Sequence, residues 1–234
     1  MLRTSGRSSE WWADDMSISN ESRSRIKKVF EPIALGMGRL GLTPNALTLI
    51  GFAITTVGAI LVGLQLWVVG GLVVFFGGVF DMFDGTLARA TGQANRLGAF
   101  MDSVFDKLGE IIVFLGVIAG MQAAGAADIP VLVAAAAMGA SIMVSYARAK
   151  SDGLGYSSGM GLAAIGVMPR EVRLVIISLG IVLTGTSIGI SAIEFALGVI
   201  LVGAVITVIQ RIVFVRREDR QSSATSQSTT TQSS

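Results

Sequence analysis

The sequence predicts an all-α integral membrane protein, with six transmembrane helices preceded by an amphipathic helix on the membrane surface. Three observations predict it. The mean hydropathy is +0.69, and 15% of the 234 residues are charged, where soluble domains carry about a quarter. The apolar residues fall in long uncharged blocks such as Leu47–Leu66, and about 20 such residues in a helix cross a hydrocarbon core of about 30 Å. All 18 Lys and Arg residues fall on one side of the topology that these blocks define.

Residues 1–21 form an extension whose composition predicts disorder. It mixes Arg3, Arg7, Glu10, Asp14 and Asp15 with Trp11 and Trp12, and lacks the apolar core of a signal peptide. Ser22–Leu40 interleaves basic residues with Ile26, Val29, Phe30, Ile33 and Leu35. This is the pattern of a helix lying on an anionic membrane surface. The six spans are predicted at Ala46–Leu66, Val68–Ala88, Ala99–Ala123, Ile129–Tyr146, Val172–Ile190 and Ile193–Ile212. The membrane domain as a whole takes in residues 22–217. From 218 to 234 the chain is dominated by Ser, Thr and Gln and reads as a disordered tail. The short turns after the first, third and fifth spans carry no Lys or Arg. The positive-inside rule therefore puts both termini and every basic loop in the cytoplasm, which implies the inner membrane of a prokaryote.

The chain has neither Cys nor His, so disulfides, thiolate sites and histidine bases are excluded. Polar chemistry must rest on carboxylates, Lys, Arg, hydroxyls and backbone, a ligand set suited to Mg²⁺ or Mn²⁺. The second span is uncharged only over Val68–Phe80 and must continue through Asp81 and Asp84 to reach its full length. The third begins with Asp102 and Asp106. Carboxylates at that depth cost about 2.5–3.5 kcal/mol each and mark function. Asp81 and Asp84 are three apart, Asp102 and Asp106 four apart, so each pair shares a helix face. Two adjacent antiparallel helices can thus aim four acids at one point, where two divalent ions about 4 Å apart would clamp a phosphoryl group. Gly85 and Ala88 leave room beside them for a flat ligand. A structural salt network with Arg89, Arg96 and Lys107 would account for the charges but not for the spacing.

These residues carry a resemblance. Asp81, Asp84, Gly85, Ala88, Arg89, Gly98, Asp102 and Asp106 match D-x2-D-G-x2-A-R-x8-G-x3-D-x3-D without departure, and on them the chain resembles the CDP-alcohol phosphotransferases. Thr43-Pro44-Asn45 and Thr48 extend the likeness. It implies a homodimer of six-helix subunits, each around a polar cavity open to the cytoplasm. It also implies two Mg²⁺ or Mn²⁺ ions held by Asp81, Asp84, Asp102 and Asp106, with Asp106 also as general base. Asn45, Thr48, Asp81, Asp84, Gly85, Ala88, Arg89 and Thr91 would surround the CDP moiety of CDP-diacylglycerol. The reaction implied is transfer of the phosphatidyl group to an alcohol with loss of CMP.

For the acceptor, the basic helix ends Lys150, Arg170, Arg173 and Arg211 favour an anionic alcohol. The stretch Ser145–Lys150 and the later Arg170–Arg173 are similar to those of actinobacterial phosphatidylinositol phosphate synthases. That likeness implies that the four cations hold the phosphate of inositol 1-phosphate. The linker Ser151–Met168 is longer than the likeness leads one to expect. Glycerol 3-phosphate is the alternative acceptor. A divalent-cation transporter is the alternative of a different class; it would need polar residues through the full membrane depth and an inverted repeat, and the sequence has neither. Beyond a second copy of the chain, membrane lipids and these substrates no partner is implied, and no nucleic acid.

Overall fold

The computed structural model describes residues 31–156 and 165–232, with side chains described as far as Arg220. All regular structure among the described residues is helical. Helix α1 covers 31–39. It is followed by α2 (Pro44–Gly63), α3 (Trp67–Ala90), α4 (Arg96–Ala123), α5 (Asp128–Gly153), α6 (Arg170–Thr184) and α7 (Ser191–Gln232). Four of these, α2, α3, α5 and the Ser191–Arg220 part of α7, are long and apolar enough to cross a membrane. The protein is therefore an all-helical, multi-pass membrane protein.

The other two predicted spans fall on α4 and α6. α4 has the length, 28 residues, but carries Asp102, Asp106, Lys107 and Glu110 between its start and its middle turn. α6 stops at Thr184 after 15 residues, about 22 Å of helix, and the stretch expected to continue it to Ile190 is a run of turns. Of the predicted surface helix Ser22–Leu40, residues 31–39 are helical and 22–30 lie outside the described residues, as does the extension 1–21. α7 keeps its helical backbone past Arg220 to Gln232, where composition predicts disorder. Once a helix is nucleated, each further residue adds a backbone hydrogen bond, so the ladder outlasts the apolar pattern.

The chain divides into two compact units. The first takes in the described residues as far as Gly51 together with Val79–Phe105, which means α1, the start of α2, the end of α3 and the start of α4. Its core is Ala34, Leu47, Phe83 and Leu87, with Met37, Leu42 and Phe80 packed against them. The α1–α2 turn is closed by Gly41 at φ 86°. The Leu42 N–H donates to Met37 O (3.3 Å) and the Gly41 N–H to Gly38 O (3.0 Å). This Schellman closure needs the left-handed backbone that glycine adopts freely. Thr43 then caps α2, its Oγ1 accepting from the Ala46 N–H at 3.2 Å, and Pro44 stands at the first helical position, where its missing donor costs nothing.

The second unit comprises Phe52–Gly78 and the described residues from Asp106 on. Its core joins Val62 and Val74, Val113, Phe114 and Val117, Ile177 and Ile181, and Ile193, Leu197 and Ile200. α7 packs against both α5 and α6. Small residues set the closest approaches. A Cβ on Gly116 would stand 2.9 Å from the carbonyl carbon of Ala59 and 3.1 Å from its Cα. Backbone cannot yield as a side-chain tip can, so Gly116→Val is expected to destabilise the protein by about 1–3 kcal/mol. Thermal unfolding of the detergent-solubilised protein measures it, and an unchanged midpoint would refute that close approach.

Candidate active site

A cavity of about 600 Å³ lies within the first unit. α2 lines it with Asn45 and Thr48, α3 with Asp84, Gly85, Ala88 and Arg89, and α4 with Gly98 and Asp102. All of these stand among the residues that the sequence singles out. The periodicity explains the grouping on α3: positions 84, 85, 88 and 89 make one stripe of the helix. Two CDP-site candidates are not among the lining residues. Thr91 turns its hydroxyl back to donate to Leu87 O at 2.8 Å, within the last turn of α3. Asp81 is buried, 8% exposed, one turn deeper.

The cavity also takes in Thr43, which the resemblance includes, and the α3–α4 connection Gln93-Ala94-Asn95, which sequence reasoning passed over. The connection follows a second glycine closure: Gly92 stands at φ 67° and the Gln93 N–H donates to Ala88 O at 3.0 Å. Asn95 Oδ1 accepts from the Gly98 N–H at 2.8 Å, a side-chain cap for α4. An Asn three residues before the signature glycine was the available signal. Gly98 itself faces Asn45, whose Oδ1 would lie 3.3 Å from an added Cβ. Any side chain here would crowd the cavity.

Asp84 is 4% exposed and Thr48 3%, and both carboxylate oxygens of Asp84 are occupied. Oδ2 accepts from Thr48 Oγ1 at 2.5 Å, and Oδ1 accepts from the Gly85 N–H. These contacts hold the carboxylate of α3 against α2 and account for Thr48 standing beside the signature. Asp81 and Asp102 bring carboxylate oxygens within 4.8 Å of each other, close enough for like charges to call for a cation. Along α4, Asp106 follows Asp102 by one turn, on the same helical face.

In the second unit, the four candidate acceptor cations divide into two pairs. Arg170 and Arg173 lie in the first turn of α6 and meet acids of α4. Arg170 Nη2 stands 2.5 Å from Asp106 Oδ1, and Arg173 Nε stands 2.8 Å from Glu110 Oε1. Lys150 and Arg211 line a separate groove of about 440 Å³ between α5 and α7, with Tyr146, Tyr156, Arg216 and Asp219. Arg211 is 5% exposed; its Nε donates to Ile165 O at 3.1 Å and its Nη1 to Val144 O. At the exposed end of the groove Tyr156 donates to Asp219 Oδ1 at 2.9 Å, which pushes the phenol up from its ordinary value. Glu110 was not singled out from sequence, although it continues the four-residue spacing of Asp102 and Asp106.

Most of the chain resembles proteins already known. The family model for CDP-alcohol phosphatidyltransferase matches residues 41–213, from the turn before α2 to near the end of the apolar part of α7. The archaetidylinositol phosphate synthase of Pyrococcus horikoshii is 33% identical over 168 residues, 72% of this chain and 84% of its own length. A crystal structure of the Mycobacterium tuberculosis phosphatidylinositol phosphate synthase with CDP-DAG bound superposes with a TM-score of 0.71 at 29% identity, over 80% of this chain and 94% of that one. A second, in complex with manganese and citrate, gives 0.70 at 30% identity, over 80% and 88%. With the acids and glycines in place, and with a match that runs nearly the length of the helical region, the chain belongs to the CDP-alcohol phosphatidyltransferase family.

Proposed function

We propose that this enzyme transfers the phosphatidyl group of CDP-diacylglycerol to the hydroxyl of inositol 1-phosphate, with release of CMP. The observation that carries the reading is the cavity of the first unit, where Asp84, Asp102 and Arg89 stand among small residues and neutral hydrogen-bonding groups. Gly85 and Ala88 leave a gap suited to a flat base. Asn45, Thr48 and Asn95 offer groups to its edge and to a ribose, and Arg89 offers a bidentate donor to a pyrophosphate.

The residues present fit divalent cations. All four candidate ligands, Asp81, Asp84, Asp102 and Asp106, are carboxylates, two of them with oxygens within 4.8 Å, and hard oxygen donors suit two Mg²⁺ or Mn²⁺ ions. Such ions, when bound, place positive charge beside the pyrophosphate and the departing CMP. Asp106, beside the Arg170 guanidinium, takes the proton of the acceptor hydroxyl as general base. The acceptor oxygen bonds to the phosphorus that carries diacylglycerol, the bond from that phosphorus to the bridging oxygen breaks, and CMP leaves with the electron pair.

The acceptor assignment rests on two supports. The archaeal relative and the mycobacterial one are named for different lipids, yet both names contain inositol phosphate. Lys150, Arg170, Arg173 and Arg211 would hold that phosphate. α4 and α6 complete six spans in this reading, with the acids of α4 gathered at the cytoplasmic end. Both termini face the cytoplasm of a prokaryote, and the working unit is a homodimer, as the family resemblance implies.

The experiment is CMP release from CDP-diacylglycerol by purified protein with Mg²⁺ or Mn²⁺. The acceptors compared are inositol 1-phosphate, glycerol 3-phosphate, free inositol, serine and none. Release with inositol 1-phosphate alone is expected. Release with glycerol 3-phosphate alone would overturn the acceptor and keep the reaction, whereas transport of Mg²⁺ without CMP release would overturn both.

A further inference from the structure

Arg173 is held more firmly than a phosphate-binding arginine at a helix end has to be. It is 3% exposed, and two of its three guanidinium nitrogens are held by neighbours on different sides. Nε donates to Glu110 Oε1 at 2.8 Å, and Nη1 donates to Met168 O at 2.9 Å. The second oxygen of Glu110 takes Lys107 Nζ at 3.0 Å, so both of its oxygens are committed. Glu110 lies 63 residues before Arg173 in sequence and on a different helix. Arg173 Nη2 remains buried, without a hydrogen-bond partner among the described residues. A buried guanidinium donor left unpaired is costly, and the cost is recovered when an anion completes it.

The acids of α4 and the arginines of α6 form a two-rung ladder. Asp106 meets Arg170, and one turn further along α4 Glu110 meets Arg173, itself three residues along α6. The first rung involves a candidate catalytic acid. The second involves an acid that the family signature does not contain and the proposed reaction does not use.

We infer that Glu110 is a positioning residue for acceptor binding: with Lys107 behind it, it holds the Arg173 guanidinium at Nε and leaves Nη2 to the phosphate of the acceptor. The inference rests on the phosphorylated acceptor proposed above. A planar fork held in place presents a donor in one direction, so the acceptor phosphate meets an arginine already oriented. Without the carboxylate, the side chain must be ordered at the moment of binding, and acceptor affinity falls.

The test is steady-state CMP release by the full chain, with both substrates varied in turn, for the wild type, Glu110→Gln, Arg173→Lys and the double variant. In Glu110→Gln, KM for inositol 1-phosphate is expected to rise about tenfold, the size of effect expected from loosening one charge-assisted contact. KM for CDP-diacylglycerol stays within about twofold, because that substrate does not use this contact. Adding Glu110→Gln to Arg173→Lys is expected to raise the acceptor KM no further, since both changes remove one arrangement. A merely structural ion pair would lower the melting temperature and leave the ratio of the two KM values unmoved, which would overturn the inference. Equal rises in both KM values, or a full additional effect in the double variant, would overturn it as well. Should Glu110→Gln fail to fold, Glu110→Asp carries the same test: it keeps the charge but withdraws it by one methylene, and an unchanged acceptor KM there counts against the inference. If the wild type instead turns over another phosphorylated alcohol, the inositol reading fails, and the KM ratio with that alcohol still decides the role of Glu110. If only an uncharged alcohol is used, both fail.

Discussion

Asp106→Asn is expected to lower kcat for CMP release by about a thousandfold, within the range that a positioned general base contributes. The argument separates three effects of the change. The amide keeps the volume and a carbonyl oxygen that can still accept from Arg170, which now stands 2.5 Å from the carboxylate, so α6 keeps its neighbour. The amide cannot take a proton from the acceptor hydroxyl at neutral pH, and it is a far weaker cation ligand than a carboxylate. The loss of base and ligand outweighs the small change in packing. CDP-diacylglycerol binding is the control, because Asp106 is not among the residues that line the cavity. The measurement is single-turnover CMP release beside equilibrium binding of the CDP-lipid. A variant that binds donor normally and turns over at more than a tenth of the wild-type rate would remove Asp106 from the proposed role.

Removal of divalent cations is expected to bring CMP release to background, with recovery on adding Mg²⁺ or Mn²⁺ and none on adding Na⁺. The same ions, added without substrate, are expected to raise the melting temperature. Asp81 and Asp102 place carboxylate oxygens within 4.8 Å of each other, and Asp81 is buried, so their repulsion is poorly screened by solvent. A cation that binds the folded chain but not the unfolded one stabilises it by mass action. Chelation followed by titration, read by thermal unfolding and by CMP release on the same sample, checks both statements. A melting temperature indifferent to the ions, with activity intact in chelator, would exclude a metal at these acids. In Asp102→Asn the ion-dependent part of the melting shift should shrink, because one of the two facing charges is gone.

The membrane class and the acids were readable because both are local properties of the chain. A run such as Leu47–Leu66 is a matter of length and apolarity alone, and it became α2, Pro44–Gly63, its start moved three residues by the Thr43 cap. The three- and four-residue spacings place carboxylates on helix faces whatever surrounds them. The cavity on α3 therefore shows Asp84, Gly85, Ala88 and Arg89 together. Hydropathy read α6 less well: the stretch from Leu174 to Ile190 carries no charge, yet the helix closes on Gly185 and Gly189 follows at φ 71°. Apolarity reports a lack of charge and not continuity of a helix.

The pairing of cations with acids was decided by the tertiary structure alone. Lys150, Arg170, Arg173 and Arg211 look equivalent in sequence, each a basic residue at the end of an apolar stretch. Folding gives them different neighbours: Arg170 and Arg173 reach Asp106 and Glu110 on α4, while Lys150 and Arg211 share the groove between α5 and α7. Glu110 passed unnoticed for the same reason: its partner is 63 positions away, and no local period links them. The sequence by itself determined which helices form, that they belong in a membrane, and which faces carry charge, because helix geometry and transfer free energy act residue by residue. Only the packing of one helix on another decided which charges meet, because a salt bridge depends on spatial neighbours that spacing along the chain does not specify.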